Sequence, residues 1–449
     1  VPNNIEGAMS RRGFLGIGGT ALVVASSGAG VLGLAGCDGS GSGPSGDPGS
    51  AARMWSMWSE GEPNEAILAE AVKDFKKEVG IDIGVDWKGR QPVDALLPSL
   101  NTSNVPTDLL NGGNTEIVNK LAATENAVDL SDVYDRQVPG EDVTVAEAVG
   151  NGNRIANSIG FTEEGIPVAV PYQLSTFLFF YNGRRFPDLQ DNPPRDWDEF
   201  FMMLDEQVAK GRQPIALDGS KPPYHAWYSQ HLVSSIVGYS GWVDAHLDRS
   251  GQLWREPEYV EAARIIERLA SGGYFIDGYD ASQFPAMQQK WSNNESDFIF
   301  NGTWLPKEVK PYGDPEAEYR SFPFPAVPGY EPPPVFIATQ GVSVLSKAED
   351  VELAKEFVSW MLKTKYQEMT ATEAGEIPVR VDVAVPPTAE GAVEQLSGGK
   401  LIQSAPPNQA YWNDVFEVVH ADLVFGRLTA EEYIDKLATQ SNEFWKNHE

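Results

Sequence analysis

The chain has 449 residues, 34 Lys and Arg against 64 Asp and Glu, a formal net charge of −30, five His and one Cys. With no Lys/Arg-rich run after the opening residues, that charge argues against nucleic acid or an anionic membrane surface as partner and points to a solvated acidic exterior. One thiol allows no internal disulfide, and with only five His it leaves no material for a Cys/His zinc site, so no metal and no cofactor is expected.

In chain order, Ser10-Arg11-Arg12-Gly13-Phe14-Leu15 comes first, followed by an almost charge-free stretch to Gly33 and then Leu34-Ala35-Gly36-Cys37. A twin arginine before an apolar segment is the address of the twin-arginine export route. The last four residues look like a lipobox, whose cysteine thiol takes diacylglycerol and becomes the mature N-terminus. Residues 1–36 are therefore expected to be a signal peptide, with Cys37 tying the mature chain to the outer face of the cell membrane. The stretch 13–33 is about the ~20 residues a bilayer needs, but its many Gly and Ser residues and the cleavage motif argue against a membrane span. Residues 38–50, rich in Gly, Ser and Pro, cannot bury an apolar face and read as a tether.

Roughly 410 residues follow the signal, too many for one core and comfortable for two domains of about 150 to 200 residues each. Residues 53–58 read as a short strand. Residues 64–79 carry Ile67, Leu68, Ala71, Val72 and Phe75 at amphipathic-helix spacing and stop at Gly80. A strand at 81–87, a helix at 93–100 and a strand at 107–110 complete strand–helix–strand units, which predict an α/β sheet with parallel strands. The loops after such strands line the ligand crevice, so Ser59 to Glu62 and Gly112 to Asn114 are expected at one edge.

Two prolines, Pro167 and Pro171, punctuate a β-rich run and suit a crossing between domains better than a central strand. Beyond it the pattern gives strands at 178–182 and 297–301, and an extended, Pro-rich stretch at 321–327. Helices are expected at 198–208, 258–270, 351–363, 366–374, 411–424 and 430–446. Aromatic residues make up 10% of the chain and include 12 Trp, whose flat apolar faces and polar edges suit sugar rings when they face a cleft.

Several segments, in this order after the lipobox, resemble the extracellular solute-binding proteins of carbohydrate ABC importers, the group that includes maltose-binding protein. They are Pro167-Val168-Ala169-Val170-Pro171 through Phe180-Tyr181-Asn182, Ile299-Phe300-Asn301-Gly302-Thr303-Trp304, Phe322-Pro323-Phe324-Pro325, and Gly341-Val342-Ser343-Val344-Leu345-Ser346. The helix from Glu352 to Val358 and Gly375-Glu376-Ile377-Pro378-Val379-Arg380 complete the set. The resemblance implies two α/β lobes, 51–167 with 341–390 and 168–340 with 391–449, joined by a hinge crossed more than once. It also implies a ligand held between them, closure that signals to the membrane subunits of an ABC permease, no catalysis, and a monomer.

Carried over residue by residue, the family's cleft aromatics fall on Tyr224, Trp304 and Trp412, the last paired with Tyr411. Polar candidates are Glu60, Glu62, Asn114 and Glu116 in the first lobe, with Ser175 and Gln340 near the crossings. Gly112-Gly113 stands where the maltose-binding pattern has an aromatic residue, which makes maltose doubtful as cargo. A neutral mono- or oligosaccharide fits carboxylates and amides beside Trp. Anionic solutes would call for cationic donors, for which only Arg90 and Arg380 are at hand. A polyamine or betaine also accepts acidic and aromatic neighbours, and a secreted glycoside hydrolase would share the acidic, Trp-rich composition. No Gly-x-Ser-x-Gly elbow, His-Glu-x-x-His pair or phosphate-binding loop suggests other chemistry.

Overall fold

Parallel pairing of the first strands sets the frame of the computed structural model, which describes residues 50–150, 160–162, 164–398 and 401–448. The signal peptide, Cys37 and nearly all of the tether lie outside the described residues. Strand β1 (Ala52–Ser56) pairs in parallel with β2 (Ile83–Trp87) on one side and β3 (Leu109–Gly113) on the other. The intervening Pro63–Val79 helix buries Ile67, Leu68, Ala71 and Phe75, one face of the expected stripe. It ends where Gly80 takes a left-handed conformation, φ 82°, that a side chain would disfavour. Phe75 meets Phe357 and Trp360 edge-on, each at 5.3 Å, which seats this helix against the Val351–Trp360 helix.

The expectation of parallel strands fails at the next position. Strand β8 (Val335–Val344) runs antiparallel to both β3 and β4 (Val170–Asn182), because it returns from the second lobe and is not fed by a crossover helix. The resulting order is β2-β1-β3-β8-β4-β6-β5, with β5 at Ile215–Ala216 and β6 at Phe298–Gly302. Strand β4 changes partners along its 13 residues. Val170 to Thr176 pair with β8, whereas Phe177 to Tyr181 pair with β6 and Phe179 to Asn182 with β7 (Tyr319–Phe322). Pro171 is tolerated at its start because the register shifts between Pro171 and Gln173. The short β9 (Ile377–Pro378) adds to β4 at Gln173 and Leu174, and β10 (Leu401–Gln403) pairs in parallel with β8 at Val335 to Ile337. The expected lobe boundaries at 167/168 and 340/341 thus fall just before β4 and inside β8.

Aromatic packing dominates the second lobe. Phe179 stacks on Phe322 at 5.4 Å, with Phe200, Phe300 and Phe324 around it. Across this core runs the Pro222–Leu247 helix, unannounced by the sequence pattern because His225 to Ser235 are buried on every side and leave no polar stripe. Gly238, at φ 75°, kinks it.

Candidate functional site

The carboxyl ends of β1 and β3 meet at one edge, as the strand order requires, with Ser56 paired to Asn111. Ser56 Oγ donates to Asn111 Oδ1 at 2.8 Å, and Asn111 Nδ2 donates to Tyr172 Oη and the Gly341 carbonyl, both at 3.1 Å. Trp58 Nε1 donates to the same Tyr172 oxygen at 2.7 Å. Four strands are thereby tied together beneath this edge, and Tyr172, fully enclosed, has its phenol pushed up by burial. Arg90 lies over the Trp58 ring at 4.9 Å and grips Glu62 through two bonds of 2.6 and 2.8 Å. Glu62 also accepts from the Ser59 N–H, so it is spent on holding its own loop, and Glu60 stands exposed beside it.

Asn114, the first residue after β3, is 1% exposed, and neither amide atom finds a hydrogen-bond partner among the described residues. It can sit there only because its neighbour is Gly341, where a Cβ would come within 2.2 Å of Asn114 Oδ1. Gly113, opposite Gln340 in register, would direct a side chain into open space, so this wall is bare where an aromatic could stand. Glu116 is half-buried, 3.9 Å from Lys120, and burial holds its carboxyl above the usual range.

On the second lobe, β6 delivers Thr303, whose N–H bonds the Thr176 carbonyl at 3.0 Å, and then Trp304. The indole lies directly over Gly302, where a Cβ would fall 2.2 Å from the ring. Trp304 is partly exposed, edge-on to Phe177 at 6.0 Å and to Trp227 at 6.1 Å, and Tyr224 stacks on Trp227 at 4.9 Å. The Tyr224 hydroxyl is pushed up by burial and by Glu308, while hydrogen bonding with Trp304 and Gln288 opposes the shift. Burial raises Glu308 too, hydrogen bonding with Gln288 opposes it, Asp218 adds to the rise, and Arg90 and Lys221 also oppose it.

The floor is made by the shared strands. Gln173 Nε2 donates to Gln340 Oε1 at 3.1 Å. Ser175 Oγ and Thr303 Oγ1 both donate to Glu376 Oε2, at 3.1 and 3.2 Å. Glu376 is 5% exposed, and burial pushes its carboxyl up to about 7 against those two donors. Ser175 is thus committed to Glu376.

The structure does not bring Tyr411 and Trp412 to this crevice. Tyr411 is fully buried, hydrogen-bonded to Ser441 at 2.6 Å and to Trp254 Nε1 at 3.1 Å. Trp412 packs among Trp242, His246 and Phe416, and its indole N–H donates to Glu417. Among the described residues no ring contact joins these two to the Trp304 cluster. Arg380, a sequence candidate for an anion donor, is buried and bound to Glu141, Asp382 and the Leu362 carbonyl. The sequence reading did not single out Trp58, Asn111, Asp218, Gln288, Glu308 or Glu376 as site residues. Only Glu308 had a usable signal, standing four residues after Trp304 and so one helical turn along the same face.

Two α/β lobes, strands that run between them, and facing walls of aromatic and polar side chains define a two-lobed periplasmic-binding-protein-like fold. The family of bacterial extracellular solute-binding proteins matches residues 58–368, and the chain belongs to it. Its members bind solutes and are not enzymes. A multiple sugar-binding protein of Streptococcus mutans is 23% identical over 226 residues, 48% of this chain and 52% of that protein, so the match spans about half of its length. The apo form of RafE from Streptococcus pneumoniae superposes with a TM-score of 0.69 at 16% identity, over 88% of this chain and 97% of the other. The GacH receptor of Streptomyces glaucescens, whose structures include complexes with acarbose and a homolog, gives 0.64 at 17%, over 88% and 98%. Such likenesses report the fold.

Proposed function

We propose that this chain is the ligand-capturing component of an ABC importer and that it takes up a neutral mono- or oligosaccharide between its lobes. The observation that carries the reading is Trp304, a partly exposed indole held flat over Gly302 with Tyr224 beside it and polar groups with unused hydrogen-bonding capacity around it. A sugar ring offers an apolar C–H face to such a platform and hydroxyls to its rim. The names of the relatives, sugar-binding protein, raffinose complex and acarbose complex, support the same reading. Closure follows because only the closed form lets the ligand touch both walls at once.

In this reading Cys37 carries the lipid, residues 38–50 let a single-chain body reorient near the membrane, and the permease subunits receive the closed form. Among the described residues no helix is long and apolar enough to cross a membrane. The partly exposed rings and the nearby carboxylates Asp218 and Glu308 also favour a second cargo, a polyamine or betaine. Tryptophan fluorescence titrated with raffinose, stachyose, galactose, spermidine and glycine betaine separates the two. A saturable change with a saccharide, lost in Trp304→Phe, is expected. Cys37→Ser should release the protein from membranes, and retention would remove the lipid from the scheme.

A further inference from the structure

We propose that Lys307, Lys310 and Arg320 line a second site, apart from the Trp304 crevice, that takes a small phosphate monoester. The site does not depend on what the crevice carries.

The three cations stand in a cleft of about 560 Å³ whose lining includes none of the crevice residues. Lys307 and Lys310 come from the short Leu305–Val309 helix and the residue that closes it, three apart and so on one face. Arg320 comes from β7, and the rest of the wall is the helix end at Thr372 and Gly375 with the crossing segment at Thr388. On the expected boundaries the cations belong to the second lobe and those three residues to the first. Gly375, at φ 65°, admits the Lys307 stem, since a Cβ there would fall 3.0 Å from Lys307 Cε and 3.1 Å from its Cγ. Lys307 Nζ donates to the Glu373 carbonyl at that helix end, which spends one of its three N–H groups.

The remaining charge is little used. Lys310 is exposed, and its ammonium makes no hydrogen bond or ion pair among the described residues. Burial holds the Lys307 ammonium below the usual lysine range, Lys310 adds to the fall, and Glu373 opposes it. Two like charges thus stand close together, and neither is in an ion pair among the described residues. Arg320 Nε donates to Gln190 Oε1 at 3.2 Å and Nη1 to the Tyr319 carbonyl at 3.1 Å, while Nη2 stands 4.0 Å from Glu318 Oε2. Asp314 and Glu318, the carboxylates on the same wall, are engaged away from the lysines. Asp314 Oδ2 accepts from Asn294 Nδ2 at 2.8 Å, and Glu318 Oε1 accepts from Arg184 Nε at 3.0 Å.

That chemistry selects the ligand. A chain of net charge −30 repels anions at long range, so an anion held here is held by local contacts. A phosphate monoester is close to a dianion at neutral pH and offers three acceptor oxygens, which suits two ammonium groups and a guanidinium. A monocarboxylate leaves most of that charge unanswered, and a cation is repelled. The cleft falls in the size range of small-molecule sites. It leaves room for an organic body beside Tyr319, whose ring is held by stacking on Trp291 at 4.9 Å.

The test is calorimetry of the full chain, at neutral pH and fixed ionic strength, with glycerol 3-phosphate, inorganic phosphate, succinate and glycerol. Saturable one-to-one binding of glycerol 3-phosphate, tighter than that of inorganic phosphate and absent with glycerol, is expected. Lys307→Met should weaken it about 10- to 100-fold, the scale of a hydrogen bond to a charged group. Lys310→Met should weaken it about 10-fold, and Lys310→Glu should abolish it. Melting curves accompany each variant. Lys310 is exposed and unpaired, so its two variants decide if Lys307→Met does not fold. Trp304→Ala should bind the phosphate ester as wild type does, which separates this site from the crevice. No saturable heat with glycerol 3-phosphate, unchanged affinity in Lys310→Glu, succinate bound as tightly as the ester, or loss of binding in Trp304→Ala would each overturn the site. Sugar capture by a chain that ignores phosphate would overturn it too, while leaving the carbohydrate reading in place.

Discussion

Thr303 and Glu376 join the end of β6 to the segment entering β9, the Thr303 hydroxyl donating to Glu376 Oε2 at 3.2 Å one residue before the indole of Trp304. Ser175 on β4 donates to the same oxygen at 3.1 Å, so one buried carboxyl ties β4, the end of β6 and the segment entering β9. The position of the platform is set from the floor of the crevice.

That carboxyl predicts a pH dependence of stability. Its ordinary value is 4.5 and the fold raises it to about 7, so between those values the folded protein holds a proton that the unfolded chain has released. The contribution is complete below pH 4.5 and is lost as pH rises through 7, by about 3 kcal/mol. Glu376→Gln should therefore gain stability over wild type at pH 8 and gain little at pH 4.5, measured by urea unfolding at both. Parallel profiles for the two proteins would contradict this.

Trp304 and Trp412 should respond oppositely to the same substitution. Trp304→Ala removes a partly exposed platform, with an expected loss of about 1 to 3 kcal/mol in sugar binding and a small change in melting temperature. Trp412→Ala, at a site 6% exposed in an aromatic core, is expected to cost about 3 to 5 kcal/mol of stability. Calorimetry and thermal melts on the pair read both numbers.

Two glycines of the first-lobe wall make a second contrast. A Cβ at Gly341 would meet Asn114 Oδ1 at 2.2 Å and the Val170 carbonyl at 2.8 Å, so Gly341→Ala should destabilise the fold by about 1 to 3 kcal/mol. Gly113→Ala meets nothing within 4 Å and should leave stability within about 0.5 kcal/mol of wild type. Equal unfolding midpoints for the two variants would mean that Asn114 moves aside without cost.

The two arginines expected as anion donors separate in the same way. Arg380, its side chain 2% exposed, lies between Glu141 and Asp382, and Arg380→Ala would leave the buried Leu362 carbonyl and the partly buried Glu141 without their donor and cost about 1 to 3 kcal/mol. Arg90→Ala breaks an exposed pair with Glu62 and should cost no more than about 1 kcal/mol. Denaturant midpoints distinguish them.

Local periodicity made the first lobe legible: Ile67, Leu68, Ala71 and Phe75 mark one helix face, and Gly80 marks its end. It also placed the loops after β1 and β3 at one edge. Where burial is complete, that signal vanishes. The Pro222–Leu247 helix has no polar face in its first half, and β8 reads the same whether it enters a sheet parallel or antiparallel. Trp304 was legible as a site residue because Asn301-Gly302 ends a strand just before it. Tyr411 and Trp412 carried no sign of their depth, since a helix start next to an aromatic pair suits a cleft and a core equally. Asp218 and Gln288 were invisible because each is defined by a partner on another element, Met287 for the one and Tyr312 for the other.

The most direct measurement is calorimetry of the full chain against neutral saccharides, spermidine and glycine betaine, repeated on Trp304→Ala. Saturable one-to-one binding of a neutral saccharide, recovered unchanged and weakened roughly 10- to 100-fold in the variant, is the expected result. Heat with spermidine or betaine alone, or saccharide affinity untouched by the loss of Trp304, would contradict a crevice built to hold sugar on that indole.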